Sequence, residues 1–143
     1  MKVLIAEKDC KAIDDIVLAL NSSFPDWELI TTDSGKECLN RVKDNSIDLF
    51  ILGLDLEDMS SFDVISKIYS LSEAAIIALS SKNDGMGMVK AFNLGADQCI
   101  VKPFSQIELI AQVRALLKRV SVKNQLAKKS VKRQQPELNK LLF

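Results

Sequence analysis

Five residues at four separate places in this chain carry side chains that could do chemistry in similar local settings. Glu7 and Lys8, Asp55, Ser80 and Lys102 all stand at or just past the end of a short apolar run, and Gly53 interrupts the same pattern two residues before Asp55. Carboxylates bind hard cations or pair with ammonium groups, and hydroxyl and ammonium groups donate hydrogen bonds to anionic oxygens. What is missing narrows the choice. The chain has no histidine, which removes His-dependent triads, His metal ligands and a histidine phosphocarrier. It has no Gly-rich phosphate loop, and no nucleophile–base pair can be assembled from its motifs, so an enzyme is not expected. Cys10, Cys38 and Cys99 are widely spaced, with no CxxC pair. They read as three reduced thiols rather than a zinc site or a disulfide framework.

The elements that must position these residues are legible from periodicity. Lys2–Ala6 is an apolar strand, and Asp9 caps a helix in which Ile13, Ile16, Val17, Leu20 and Phe24 recur at helical spacing. Trp27–Thr32 is a second strand. Ser34 and Glu37 form a capping-box pattern for a helix running to about Asn45. A third strand covers Leu49–Leu54 and a helix Ser61–Leu71. A fourth strand covers Ala74–Leu79, followed by a helix loosened by Gly85 and Gly87 that ends at Leu94. Gln98–Val101 is the fifth strand. Ser105 and Glu108 then open a last helix with Leu109, Val113, Leu116 and Val120 on one face.

Five short apolar strands alternating with five helices predict an α/β domain with a parallel sheet covered on both faces. Ligands of such sheets gather at the carboxyl ends of the strands, where these residues lie. The chain, 143 residues long, has room for one ordinary domain and a tail. No apolar run approaches the roughly 18 residues of a membrane span, and the first apolar run is too short for a signal peptide. A cytoplasmic protein without membrane contact is expected. Net charge is zero, but residues 1–120 carry 13 basic and 18 acidic side chains, and residues 121–143 carry 6 and 1. This shift divides a domain at 1–120 from a basic linker or tail at 121–143, read alternatively as a frayed extension of the last helix.

Two segments carry a family resemblance. Asp48-Leu-Phe-Ile-Leu-Gly53-Leu-Asp-Leu-Glu-Asp-Met59 reads as a buried strand entering a loop, and Gly95-Ala-Asp97 precedes Lys102-Pro103-Phe104. Gly53 lies 27 residues before Ser80 and 49 before Lys102. With these spacings, residues 2–119 resemble the receiver domain of two-component response regulators. The resemblance implies a three-layer, doubly wound (βα)5 flavodoxin-like fold with strand order 2-1-3-4-5, and a cis peptide before Pro103. It further implies two acids after the first strand and an acceptor Asp ending the third, together holding Mg²⁺. A hydroxyl after the fourth strand and a lysine after the fifth bind the phosphoryl group.

The chain departs from that pattern at several places. The acidic pair is Glu7-Lys8, the acceptor position is Gly53, and Cys99 stands at the switch aromatic; Ser80 and Lys102 match. Glycine cannot form an acyl phosphate. Glu7 against Lys8 and Lys102 leaves +1, which Asp55 brings to zero, so ion pairs of Lys8 and Lys102 with Glu7 and Asp55 are expected in place of a metal. Mg²⁺ and other cofactors are not expected. Asp55 is the alternative acceptor, although its interval to Phe62 is two residues short of the family loop.

The last-helix region is most similar to the winged-helix transcription-regulator subgroup. There the resemblance implies a homodimer through the fourth helix, fifth strand and fifth helix. Asp97 with Arg119 matches one of its ion pairs, and Glu108 and Arg114 are single members of others. Gln98 and Gln112 stand where an acid and an arginine pair, and Met88 replaces a cation. The expectation is a phosphorylation-independent receiver serving as a signalling and dimerisation module in transcription control. DNA contact would come only through a C-terminal domain beyond Phe143. The rivals are a conventional phosphorelay receiver using Asp55 and a stand-alone adaptor.

Overall fold

The computed structural model describes residues 1–44 and 46–132, with side chains through Arg119. Strands β1 (Lys2–Ala6), β2 (Glu28–Thr32), β3 (Leu49–Gly53), β4 (Ala75–Ser81) and β5 (Gln98–Lys102) alternate with helices α1 (Cys10–Ser23), α2 (Gly35–Val42), α3 (Ser61–Leu71), α4 (Gly85–Leu94) and α5 (Gln106–Lys132). All strand pairs are parallel, in the order β2-β1-β3-β4-β5. The parallel sheet is what the alternation of elements predicts, and the doubly wound strand order is the one that the family resemblance implies.

The strand sequences lack polar alternation because both faces of the sheet are covered. Side chains of successive strand residues point to opposite faces. Val3, Ile5, Leu49, Ile51, Ile77 and Leu79 therefore join Ile16 and Leu20 of α1 and Leu109, Val113 and Leu116 of α5 in one core layer. Leu4, Ala6, Phe50, Leu52, Ile76 and Ala78 form the other, with Cys38 of α2, Val64, Ile65 and Ile68 of α3, and Ala91 of α4. Burial pushes the Cys38 thiol up to about 12, with Glu37 adding to the rise. It is an apolar packing group.

Side-chain caps set the helix starts. Asp9 accepts from the Lys11 amide at 3.0 Å, Ser34 from Glu37 at 3.1 Å and Ser105 from Glu108 at 3.0 Å. The Ser34 capping box is half realised, because the Glu37 carboxylate turns to the Thr32 hydroxyl at 2.8 Å.

Several boundaries differ from the sequence reading. β2 begins one residue later, at Glu28, and β3 ends at Gly53. β4 runs on to Ser81 and β5 to Lys102, because the ladder pairs Ser80 with Val101 and Ser81 with Lys102. α2 ends at Val42, and Asn45 lies outside the described residues. α5 passes residue 120 without a break and continues to Lys132, about 40 Å in all at 1.5 Å per residue. Residues 133–143, with Pro136 and Phe143, lie outside the described residues. No helix of the described residues is long and apolar enough to cross a membrane. The Lys102–Pro103 peptide is cis.

Candidate functional site

Four strand ends bring the chemistry-bearing residues together. The backbone ladders continue past the strands that carry them: the Glu7 amide donates to the Thr32 carbonyl at 3.0 Å, and the Leu54 amide to the Leu79 carbonyl at 3.0 Å. Glu7, Gly53 and Leu54 are therefore held by the sheet itself, and their side-chain directions follow from it.

Glu7 is completely buried, as is Ser80. The Lys102 ammonium donates to Glu7 Oε1 and lies 3.7 Å from Asp55 Oδ1. Lys8 lies 3.9 Å from Asp55 Oδ2 and 3.5 Å from Glu57 Oε1. The result is a chain of ion pairs, Glu7–Lys102–Asp55–Lys8–Glu57, running from the core to solvent. Lys102 is only 16% exposed, while Lys8, Asp55 and Glu57 are 42%, 45% and 80% exposed. The sequence reading assigned two lysines to two carboxylates; the structure adds Glu57 as a third acid on the rim.

Gly53 leaves room that the Glu7 carboxylate takes. A Cβ built on Gly53 would lie 1.6 Å from Glu7 Oε2, 2.8 Å from Glu7 Cδ and 3.3 Å from Asp55 Oδ1. The Glu7 carboxylate occupies the place that a side chain at position 53 would take. Among the described residues, Glu7 Oε2 and Ser80 Oγ have no hydrogen-bond partner in the protein.

Burial pushes the Glu7 carboxyl above the usual carboxylate range, and the hydrogen bond and charge of Lys102 oppose the rise without cancelling it. For Lys102, burial favours the neutral amine, but the bond to Glu7 and the charges of Glu7, Asp55 and Asp9 outweigh it. Its pKa is therefore raised. Cys99 is half-buried against the α4 side of the sheet, and burial raises its thiol pKa. An open cleft of about 310 Å³ lies beside Lys102, lined by Asp9, Lys11, Asp15 and Phe104 among others.

The residues assigned to a dimer face are divided. Gln98 donates from Nε2 to Gln112 Oε1 within one chain. The Asp97 carboxylate accepts from the Ile76 amide at 2.8 Å, which ties the start of β5 to β4. Met88 is half-buried, and Glu108 and Arg119 are exposed. Arg114 does not join them. Its guanidinium sits 5.6 Å from the centroid of Phe24, which follows α1 and stacks on Trp27. Two residues on from Gln112, a helical position is rotated about 200°, so Arg114 faces α1 while Gln112 faces β5.

Sequence reasoning missed two acids of the β3–α3 loop. Glu57 was visible only as another loop carboxylate. Asp58 has its partners 22 to 24 residues away in the chain: its carboxylate accepts from Ser34 Oγ at 3.0 Å, the Gly35 amide at 2.8 Å and the Lys36 amide at 3.0 Å. No local pattern marks that contact.

Comparisons with known proteins agree with this fold. Residues 3–114 match the family described as response regulator receiver domain. The transcriptional regulatory protein KdpE of Mycobacterium tuberculosis is 33% identical over 102 residues, covering 71% of this chain and 45% of that protein. The cell cycle transcriptional regulator CtrA of Caulobacter vibrioides is 35% identical over 120 residues, covering 83% and 51%. The chain spans about half the length of these curated relatives. A crystal structure of a two-component response regulator from Clostridium difficile superposes with a TM-score of 0.76 at 23% identity, covering 84% of this chain and 98% of that one.

Proposed function

This chain belongs to the response regulator receiver family, and we propose that within it the domain signals without aspartyl phosphorylation, as an atypical receiver of a transcription regulator. One observation carries the reading. The space at the acceptor position is filled by the Glu7 carboxylate, which approaches within 1.6 Å of where a Cβ at residue 53 would stand. Lys102 is already paired with that carboxylate. The arrangement that phosphorylation would otherwise bring about, an anionic group held by Lys102, is built into the resting chain.

The donor set does not suit Mg²⁺. Divalent magnesium wants several oxygen ligands in octahedral array. Here Glu7 Oε1 is bonded to Lys102, each Asp55 oxygen faces a lysine within 4 Å, and Lys8 brings a positive charge to the same rim. No step of the proposed function uses a metal, and none is enzymatic.

The output is through partners. The relatives are transcriptional regulators of which this chain matches about half the length, so DNA contact belongs to a further domain and the receiver acts by pairing with a second copy through α4, β5 and α5. Gln98 and Gln112 satisfy each other on that surface without charge. Met86, Val89 and Phe92 leave α4 exposed and apolar, which supports a face held by fewer ion pairs. The protein works in the cytoplasm.

A second reading has its own support. Asp55 is half exposed and Lys102 stands 3.7 Å from it, so Asp55 could accept a phosphoryl group, its carboxylate oxygen attacking phosphorus while the donor releases its carboxylate. Incubation with acetyl phosphate and Mg²⁺, followed by intact mass and elution volume, decides between the two. The expected result is an unchanged mass and a dimer whose population ignores the donor. A gain of one phosphoryl group that maps to Asp55 overturns the proposal.

A further inference from the structure

The β3–α3 loop carries two acids of the ion-pair chain, yet Asp55 and Glu57, both exposed acids, are held to their lysines only at 3.5–3.9 Å. Such pairs are too weak to order a loop by themselves. Something else fixes the loop, and the candidate is its next acid. Asp58 makes three hydrogen bonds to the first turn of α2, with Ser34 Oγ and the amides of Gly35 and Lys36. These amides are among the orphan donors of a helix start, where a carboxylate is also favoured by the helix dipole. The two amide bonds and the Ser34 hydroxyl hold the Asp58 carboxyl down at about 2.

The contact extends beyond the carboxylate. A Cβ on Gly35 would lie 2.7 Å from Met59 Cγ and 3.0 Å from Val64 Cγ2, so the loop and α3 press directly onto the helix backbone at Gly35. On the near side, the Leu56 amide donates to Ser61 Oγ at 3.1 Å. The segment from Leu56 to Ser61 is thereby tied at both ends. Glu57 projects from the tied stretch toward Lys8, and Asp55, the residue just before it, lies between Lys102 and Lys8.

We infer that Asp58 is a positioning residue for the pocket: by clamping the loop to the first turn of α2, it sets Asp55 and Glu57 against Lys102 and Lys8 and keeps the ion-pair chain closed. The inference rests on the reading of this pocket as a closed cluster that works without phosphate. α2 becomes part of the site although it contributes no side chain to it. A movement of α2 would be transmitted to the lysines through the Asp58 carboxylate and the loop packed on Gly35.

The test compares Asp58→Ala and Asp58→Asn with Ser34→Ala in the full chain, following amide exchange of residues 54–59 and the titration of the Lys102 Nζ by NMR. With Asp58→Ala, loop exchange speeds by about tenfold or more, as for a segment released to local opening. At the same time the Lys102 pKa moves down, because the Asp55 charge that supports it withdraws. Asp58→Asn, which keeps one acceptor oxygen, recovers part of both effects. Ser34→Ala removes a helix cap but leaves two bonds to Asp58, and the Lys102 titration stays in place. A purely capping role for Asp58 would weaken α2 without moving Lys102. An unchanged Lys102 titration and unchanged loop exchange in Asp58→Ala overturn the inference. If that variant fails to fold, Asp58→Asn carries the same comparison. Phosphoryl uptake by the wild-type chain would overturn the reading of the pocket but not this result, so the two failures are separable.

Discussion

Lys102 and Lys8 meet the same loop acid, Asp55, from opposite sides, and burial makes them different kinds of group. Lys102 is 16% exposed and bonded to a carboxylate with no exposure at all; Lys8 is 42% exposed and its partners are looser and wetter. Inside, each charge has lost most of its water, and a partner is the only compensation. Outside, solvent screens both charges whether or not they pair. One continuous chain of ion pairs therefore has a structural inner end and an adjustable outer end.

The widest separation between the two ends comes from removing the lysines one at a time. Lys102→Met leaves the buried Glu7 carboxylate without its donor and is expected to destabilise the fold by about 3–5 kcal/mol at pH 7. Urea denaturation measures the loss. Its pH dependence follows from the direction of the Glu7 shift. The folded pKa of Glu7 lies above the unfolded one, so the folded state binds the extra proton, and stability falls as pH rises between the two values. Without Lys102 the folded value rises further. The deficit of Lys102→Met is thus present at neutral pH and shrinks as acid protonates Glu7. A deficit that is the same at pH 4 and pH 8 would show that the inner pair carries no special burden.

Position 53 probes the inner end through space rather than charge. Gly53→Ala places a methyl group 1.6 Å from Glu7 Oε2 and must expel the carboxylate from its seat. Overpacking of this kind costs about 1–3 kcal/mol. In a Glu7→Ala background the methyl group has room, and the penalty should fall by the coupling of two touching sites, about 0.5–3 kcal/mol. Additive effects of the two changes would mean that Glu7 has another place to go.

The same contrast explains what could be read from the sequence. The fold was legible because apolar strands, cap residues and helix periodicity are local signals: Asp9, Ser34 and Ser105 each cap the helix they precede. Strand ends were less so, since Ser80, Ser81 and Lys102 join the ladder only because β4 and β5 lie side by side. For the site, the topology of a doubly wound sheet was enough to assemble Glu7, Lys8, Gly53, Asp55, Ser80 and Lys102 at one edge. It did not say which lysine would reach Glu7, nor that Glu7 would fill the space above Gly53, because both depend on side-chain direction at the ends of neighbouring strands. Asp58 was hidden for the same reason: its partners are close in space and 22 to 24 residues away in sequence. Arg114 shows the converse. Counted along the helix it falls near Gln112, yet the rotation of α5 turns it toward Phe24.

The outer end supplies the smallest effect. Lys8→Ala removes both rim contacts, to Asp55 at 3.9 Å and Glu57 at 3.5 Å, and should change stability by no more than about 1 kcal/mol. Salt gives the sharper readout. The Debye length is about 8 Å at 0.15 M and about 3 Å at 1 M, so the difference between wild type and Lys8→Ala should disappear in 1 M NaCl, whereas most of the Lys102→Met deficit should persist, its charges lying where counterions do not reach. If instead the two lysine variants lose stability in parallel as salt is varied, the inner and outer pairs share one environment, and the division of the chain into a buried seat and an exposed rim is wrong.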